Sequence, residues 1–94
     1  MRSKGKGRSA SGEDMLKRAA SVVSGRRQSY GDPATFMTAL ARRWSITLGK
    51  PVTPAEVVLC LIDLKLCRLK HDPTHQDSIC DLAGYAAILQ ELNT

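Results

Sequence analysis

The sequence predicts an all-α fold, a small bundle of three to four helices with a disordered basic N-terminal tail. Apolar residues recur at steps of three and four through most of residues 11 to 94, as they do on one face of a helix. Two prolines directly follow a residue suited to capping, in Asp32-Pro33 and Thr53-Pro54, which is typical of helix starts. No useful run of alternating apolar and polar residues indicates a strand. We therefore predict a single helical domain over residues 11 to 94 and a tail over residues 1 to 10.

The basic residues are concentrated in the tail and the first helix. Residues 1 to 27 hold eight Lys and Arg against two acidic residues, a net charge of +6, whereas residues 28 to 94 hold six against seven, a net charge of −1. The tail has no apolar side chains whose burial could offset the entropy of ordering it. We predict that the basic residues contact a macromolecule, and that any contact with nucleic acid is weak and salt-sensitive. They are Arg2, Lys4, Lys6, Arg8, Lys17, Arg18, Arg26 and Arg27.

The first two helices are predicted over about residues 11 to 27 and 33 to 48. The first is amphipathic with a basic outer face, and the second ends at a glycine followed shortly by proline. Its spacing predicts that Phe36, Trp44 and Leu48 line the core, with a dimer interface as the alternative for them.

The third helix has the clearest start in the sequence. Thr53 is a suitable cap, proline follows it, and Glu56 can reach back to the amide of the cap. The helix should run over residues 54 to 70. Because it is apolar nearly all the way round, we expect it to be the central element, packed on several sides.

A short loop around Pro73 leads to the fourth helix, which is predicted to start at a cap of Thr74 or Asp77 and to reach about Leu92. So short a loop predicts that the third and fourth helices are antiparallel. Gly84 inside the fourth helix predicts a close backbone approach, from the third helix or from a second copy of the chain.

Charged residues gather where the antiparallel arrangement brings these two helices together. Lys65 and Arg68 fall within a turn of Asp81, and Asp77 lies one helical turn before Asp81. One interpretation is a divalent cation held by Asp77 and Asp81 with Asp63 nearby, while the two basic residues meet a phosphate. The other is a set of salt bridges that determines the register of the helices. The candidate polar cluster comprises Asp63, Lys65, Arg68, Asp77, Asp81 and Tyr85.

The three cysteines lie in apolar helical patterns, and their odd number disfavours a disulfide framework. No segment is long and apolar enough to span a membrane, so we expect a cytoplasmic protein. A zinc site could be formed from Cys67, His71, His75 and Cys80, but the paired spacings of ordinary zinc modules are absent. Neither a serine nucleophile with its partners nor a glycine-rich phosphate loop is indicated.

A set of landmarks recurs between about residues 28 and 92. They are Tyr30-Gly31-Asp32, Trp44, Thr53-Pro54 with Val57, Leu64-Lys65 with Arg68, His75 with Asp77-Ser78, and Asp81 with Ala83-Gly84-Tyr85-Ala86. With these landmarks the chain resembles a family of small proteins of unknown function encoded by tailed phages and prophages. The last helix is similar to that of the all-alpha, MazG-like nucleoside triphosphate pyrophosphohydrolases. That similarity implies magnesium between two helices, with Asp77 and Asp81 as its ligands here.

Two functions follow from these observations. The first is a phage accessory protein that binds or inhibits a host or phage macromolecule through a self-associating helical bundle, in a counter-defence role. A homodimer is expected because so short a chain buries a small core. The alternative is a magnesium-dependent nucleotide-binding or pyrophosphohydrolase protein. The sequence leans away from an enzyme because Glu56 and Asp63, the two acidic residues of the third helix, are seven apart and complete no catalytic set.

Overall fold

The computed structural model describes residues 11–94, which form four helices and no strand. The predicted all-α fold is confirmed, whereas the predicted tail, residues 1 to 10, lies outside the described residues. Among the described helices, none has the length and apolar character needed to cross a membrane. The helices are α1 (Gly12–Tyr30), α2 (Pro33–Leu48), α3 (Pro54–His71) and α4 (Gln76–Leu92).

Local side-chain contacts explain where the helices begin and end. At the start of α3, the Glu56 amide donates to Thr53 Oγ1 at 3.1 Å, and the Thr53 amide donates to the Glu56 carboxylate at 2.9 Å. This reciprocal pair confirms the predicted capping box, an arrangement that stabilises a helix start by about 1 kcal/mol. At the end of α2, Gly49 adopts the left-handed conformation with φ of 72°, which is open to glycine without steric cost.

The start of α4 differs from the prediction. His75 occupies the N-cap position, not Thr74 or Asp77. Thr74 instead closes the turn, because its hydroxyl donates to Asp72 Oδ1 at 2.7 Å and its amide donates to the same oxygen at 3.0 Å. A histidine in this position carries no strong sequence signal, so the start of α4 could be read from the sequence only to within a few residues.

The core lies where α2, α3 and α4 meet. Met37 and Ala41 of α2 are buried against Val57 and Val58 of α3, and both valines are 0% exposed. Burying such a side chain completely contributes about 1.5 to 3 kcal/mol. The partly buried residues packed around this cluster are Leu40, Trp44, Val52, Leu61, Ile62, Tyr85, Ile88, Leu89 and Leu92.

The central helix is α4, and the prediction that α3 is central was wrong. Helix α4 contacts all three other helices, whereas no close backbone contact joins α1 to α3. Helix α4 can do so because it has two apolar sides, one with Tyr85 and Leu89 toward the core and one with Cys80 and Gly84 toward α1. The outer face of α3 is therefore left uncovered within the described chain.

Two of the three residues predicted for the core on α2 are exposed. Trp44 packs against the core, but Phe36 is 47% exposed and Leu48 is 60% exposed. Phe36 lies beside a gap between α1 and α2, because α1 packs mainly on α4. Periodicity placed Phe36 beside Met37 and Leu40 but could not show that no helix covers it.

Gly84 does not mark a close approach of the α3 backbone, and the alternative, a second copy of the chain, stays a prediction. A Cβ atom at this position would lie 3.6 Å from Val23 Cγ2, an ordinary van der Waals contact, and no backbone atom comes within 4 Å outside its own helix. We therefore expect Gly84→Ala to raise the free energy of unfolding by about 0.5 to 1 kcal/mol, because alanine loses less conformational entropy in a helix. Chemical denaturation followed by circular dichroism measures this change.

Ala86→Gly is the matched control, since Ala86 is exposed on the same helix and the substitution should lower stability by a similar amount. A loss of stability in Gly84→Ala would show that α1 and α4 cannot accommodate one methyl group between them.

Candidate binding site

The predicted polar cluster is brought together in part. Lys65 Nζ lies 3.0 Å from Asp81 Oδ2, and the two side chains are 20% and 37% exposed. The antiparallel arrangement of α3 and α4 is thus confirmed at the level where the sequence placed it. Because the two charges neutralise each other, Asp81 presents a carboxylate that already has a cationic partner.

Arg68 faces a different neighbour. One of its guanidinium nitrogens lies 3.0 Å from His75 Nε2, and His75 Nδ1 lies 2.8 Å from Ser78 Oγ. The Ser78 amide also donates to His75 Nδ1, at 3.3 Å, and this hydrogen bond caps the start of α4. Ser78 is only 1% exposed, so this chain of contacts satisfies a buried hydroxyl and joins the end of α3 to the start of α4.

Asp63 and Asp77 of the predicted cluster form no ion pair with Lys65 among the described residues. Asp63 is exposed and lies about 200° around the α3 axis from Lys65, since successive residues are separated by about 100°. Asp77 is exposed in the first turn of α4. Tyr85 packs against the core. In residues 11–94, no three His, Cys, Asp or Glu side chains form a group that could hold a metal ion.

A groove that the sequence analysis did not identify runs between α1 and α2. It has a volume of about 500 Å³, within the usual range of ligand-binding clefts, and its lining is mostly apolar. Helices α3 and α4 supply its floor, where Leu61 and Tyr85 lie beside Lys65 and Asp81. The groove therefore has an apolar surface with one ion pair in its lining.

The two walls of the groove expose aromatic side chains. Tyr30 at the end of α1 is 66% exposed, and Phe36 on α2 is 47% exposed. The Arg26 guanidinium lies 4.9 Å from the centre of the Tyr30 ring, in a cation–π contact. Tyr30 and Phe36 are close in the chain, on either side of the turn between α1 and α2. Their sequence positions did not reveal the groove, because no sequence pattern distinguishes aromatic residues beside a gap from aromatic residues in a core.

The four basic residues of α1 have different surroundings, and one of them lines this groove. Arg26 lines it, and Arg27 pairs with Glu91 at the end of α4 while lying 3.7 Å from Asp32. Lys17 and Arg18 are exposed on the same helix. The predicted macromolecule-binding residues of α1 thus lie on a helix that forms one wall of the groove, while those of the tail lie outside the described residues.

The turn between α3 and α4 holds a carboxylate with an altered proton affinity. The hydroxyl and the amide of Thr74 both donate to Asp72, and together with His75 and Arg68 they lower the pKa of this carboxyl below its usual value of 3.8. A carboxylate whose pKa is lowered in the folded state stabilises the fold above its unfolded pKa. That contribution is lost as the pH falls through the folded pKa.

We expect Thr74→Val to raise the pKa of Asp72 toward 3.8, because the largest contribution, from the hydroxyl, is lost while the amide still donates. The stability that depends on this carboxylate would then be lost at higher pH than in the natural chain. Carbon-detected NMR titration of the Asp72 carboxyl measures the shift directly.

Thr35→Val serves as the control, because it removes a similar hydroxyl from another carboxylate and should leave the Asp72 titration unchanged. The Thr35 hydroxyl donates to Asp32 at 3.3 Å in the first turn of α2. An unchanged Asp72 titration in Thr74→Val would contradict the assignment of the Thr74 hydroxyl as the main cause.

Comparison with known proteins adds a family and two relatives. The model of DUF6378, a domain of unknown function, matches residues 14–93. The chain is 34% identical over 80 residues to the Gene 55 protein of Mycobacterium phage L5, covering 83% of this chain and 51% of the relative. It is 31% identical over 81 residues to the Gene 55 protein of Mycobacterium phage D29, covering 85% of this chain and 54% of the relative.

The chain therefore spans about half the length of these two relatives. No solved structure matches it. The matches bear out the predicted resemblance to phage proteins of unknown function. They give no support to the predicted similarity to MazG-like enzymes.

Proposed function

The chain belongs to the DUF6378 family, whose match covers nearly all of it, and from this premise we propose that it is a helical binding module that takes up an apolar segment of a partner protein. The groove between α1 and α2 is the docking site, and the module associates with itself through a separate surface. With phage proteins among its relatives, the biological setting we propose is inhibition of a host or phage macromolecule in the host cytoplasm, in a counter-defence role.

The observation that carries this proposal is the exposure of aromatic side chains around a mostly apolar groove. Phe36 and Tyr30 are both large, and about half or more of each is exposed. A chain this small gains stability by burying such groups, and contiguous exposed apolar surface marks interaction sites. An amphipathic helix laid in a groove uses apolar anchors of this kind, which suits a volume of about 500 Å³ between two helices.

The charge near the groove selects the partner further. Arg26 lies at the groove wall, and Lys17 and Arg18 are exposed on the same helix. Opposite charge across an interface speeds association and suppresses wrong partners. The partner segment should therefore carry carboxylates beside its apolar anchors. In the groove lining, Lys65 can donate and Asp81 can accept further hydrogen bonds, while their ion pair introduces no net charge.

We expect a designed amphipathic helical peptide with carboxylates on its polar face to bind the chain, and Phe36→Glu to weaken this binding at least tenfold. A glutamate at this position places a charge in an apolar contact and repels the carboxylates of the peptide. Fluorescence anisotropy with the labelled peptide measures the dissociation constant. A peptide with the same apolar face and lysines in place of carboxylates should bind more weakly.

Ile46→Glu is the matched control, because Ile46 is 74% exposed on the same helix and does not line the groove. Equal affinities of the two variants would contradict docking in the groove. Fluorescence anisotropy with labelled duplex DNA in place of the peptide distinguishes a nucleic-acid partner from a protein partner. DNA binding that is stronger than peptide binding, and that disappears when residues 1 to 10 are deleted, would assign the function to the basic tail.

A further inference from the structure

No described element covers the outer face of α3. Leu59, Leu64 and Leu66 are 50%, 57% and 49% exposed, and Cys60 and Cys67 are exposed between them. Val57 and Val58 on the opposite side of the same helix are fully buried. Helix α3 therefore has two apolar faces, and the fold uses one of them.

The exposed face has an internal symmetry. A Leu-Cys pair occurs at residues 59 to 60 and again at residues 66 to 67. Seven residues are nearly two helical turns, so the two leucines share one edge of the face and the two cysteines share the other. Asp63 lies midway between the pairs. The face therefore repeats a Leu-Cys pair on either side of Asp63, with each pair three to four residues from it.

The charges on this face are also arranged about Asp63. Glu56 lies seven residues before it and Lys70 seven residues after it, about 21 Å apart along the helix and on the same line. Both side chains are exposed, and neither forms an ion pair with another described residue. One end of the face is thus acidic and the other basic, which makes the face complementary to an antiparallel copy of itself.

We infer that two copies of the chain pair through this face, with their α3 helices antiparallel and a twofold axis passing by Asp63. The inference rests on the self-association proposed above and specifies its surface. A twofold axis perpendicular to both helices places the leucine edge of one copy against the leucine edge of the other, and the cysteine edges likewise. Each contact then occurs twice, because residue i meets residue j and residue j meets residue i. Leu59 then packs on Leu66 of the second copy, and Cys60 lies opposite Cys67 of the second copy. Glu56 faces Lys70 of the second copy at both ends.

Asp63 limits the strength of this pairing. On the twofold axis its carboxylate meets the same carboxylate of the second copy, and like charges placed together disfavour association. The leucine contacts and the opposite charges at the ends therefore favour association, whereas one repulsive contact at the centre disfavours it. A pairing with this balance is reversible, and removing the charge at this one position should strengthen it.

The exposed cysteines provide the test of the geometry. A short bismaleimide reagent should link two copies of the natural chain through Cys60 and Cys67. Neither Cys60→Ser alone nor Cys67→Ser alone should be linked, because each variant then presents a serine opposite its remaining exposed cysteine. An equimolar mixture of the two variants should be linked again, and mass spectrometry should join Cys67 of one variant to Cys60 of the other.

Charge substitutions test the register without cysteine chemistry. By analytical ultracentrifugation, Asp63→Asn should lower the dissociation constant of the dimer several-fold. Glu56→Gln, whose amide oxygen can still accept from the Thr53 amide, should raise the constant, and Lys70→Gln should raise it little further in that variant. The control is Gln90→Glu, which alters an exposed residue of α4 and should leave the dimer unchanged. Leu82→Asn is unsuitable as a control because Leu82 is partly buried.

Links within either single cysteine variant would overturn the antiparallel arrangement, and a monomer at high concentration would overturn the self-association as well. Peptide binding in the groove is measured on the same proteins. If the peptide still binds while the mixed variants are not linked, the pairing inference fails and the docking proposal stands. If the mixture is linked but Phe36→Glu binds the peptide normally, the pairing stands and the docking proposal fails.

Discussion

The structure depends on α4 being packed along two sides at once. Toward α2 and α3 it presents Tyr85 and Leu89, which help to enclose the fully buried Val57 and Val58. Toward α1 it presents small residues, among them Gly84, which faces Val23 of α1. Since a domain of this size has few buried side chains, each of these contacts is a large share of its stability.

The position of α1 determines the groove. Because α1 is held by α4 and has little contact with α2, a gap remains between the first two helices. Phe36 and Tyr30 border that gap and stay exposed. Among the described residues, the same arrangement leaves α3 with two neighbouring helices, α2 and α4, so its outer face is also exposed. Both surfaces to which we assign binding thus have one cause, a bundle in which the last helix occupies the centre.

The elements themselves could largely be predicted because their signals are local. The capping box at Thr53 and Glu56, the proline after Asp32 and the glycine after α2 each act through neighbours within a few residues. The proximity of Lys65 to Asp81 could also be predicted, since a short loop constrains two helices to be antiparallel. The start of α4 was less accessible, because His75 acts there through contacts with Ser78 and with Arg68 of α3.

The helices, their approximate ends and their apolar sides follow from the order of residues, because backbone hydrogen bonding, capping and helical periodicity depend on residues close in the chain. Which of those apolar sides are covered depends on how the helices pack. Phe36 and Trp44 belong to the same apolar pattern of α2, yet one borders a groove and the other packs on the core. Whether another helix covers an apolar side depends on where the other helices lie. The pattern of apolar residues along one helix does not contain that information.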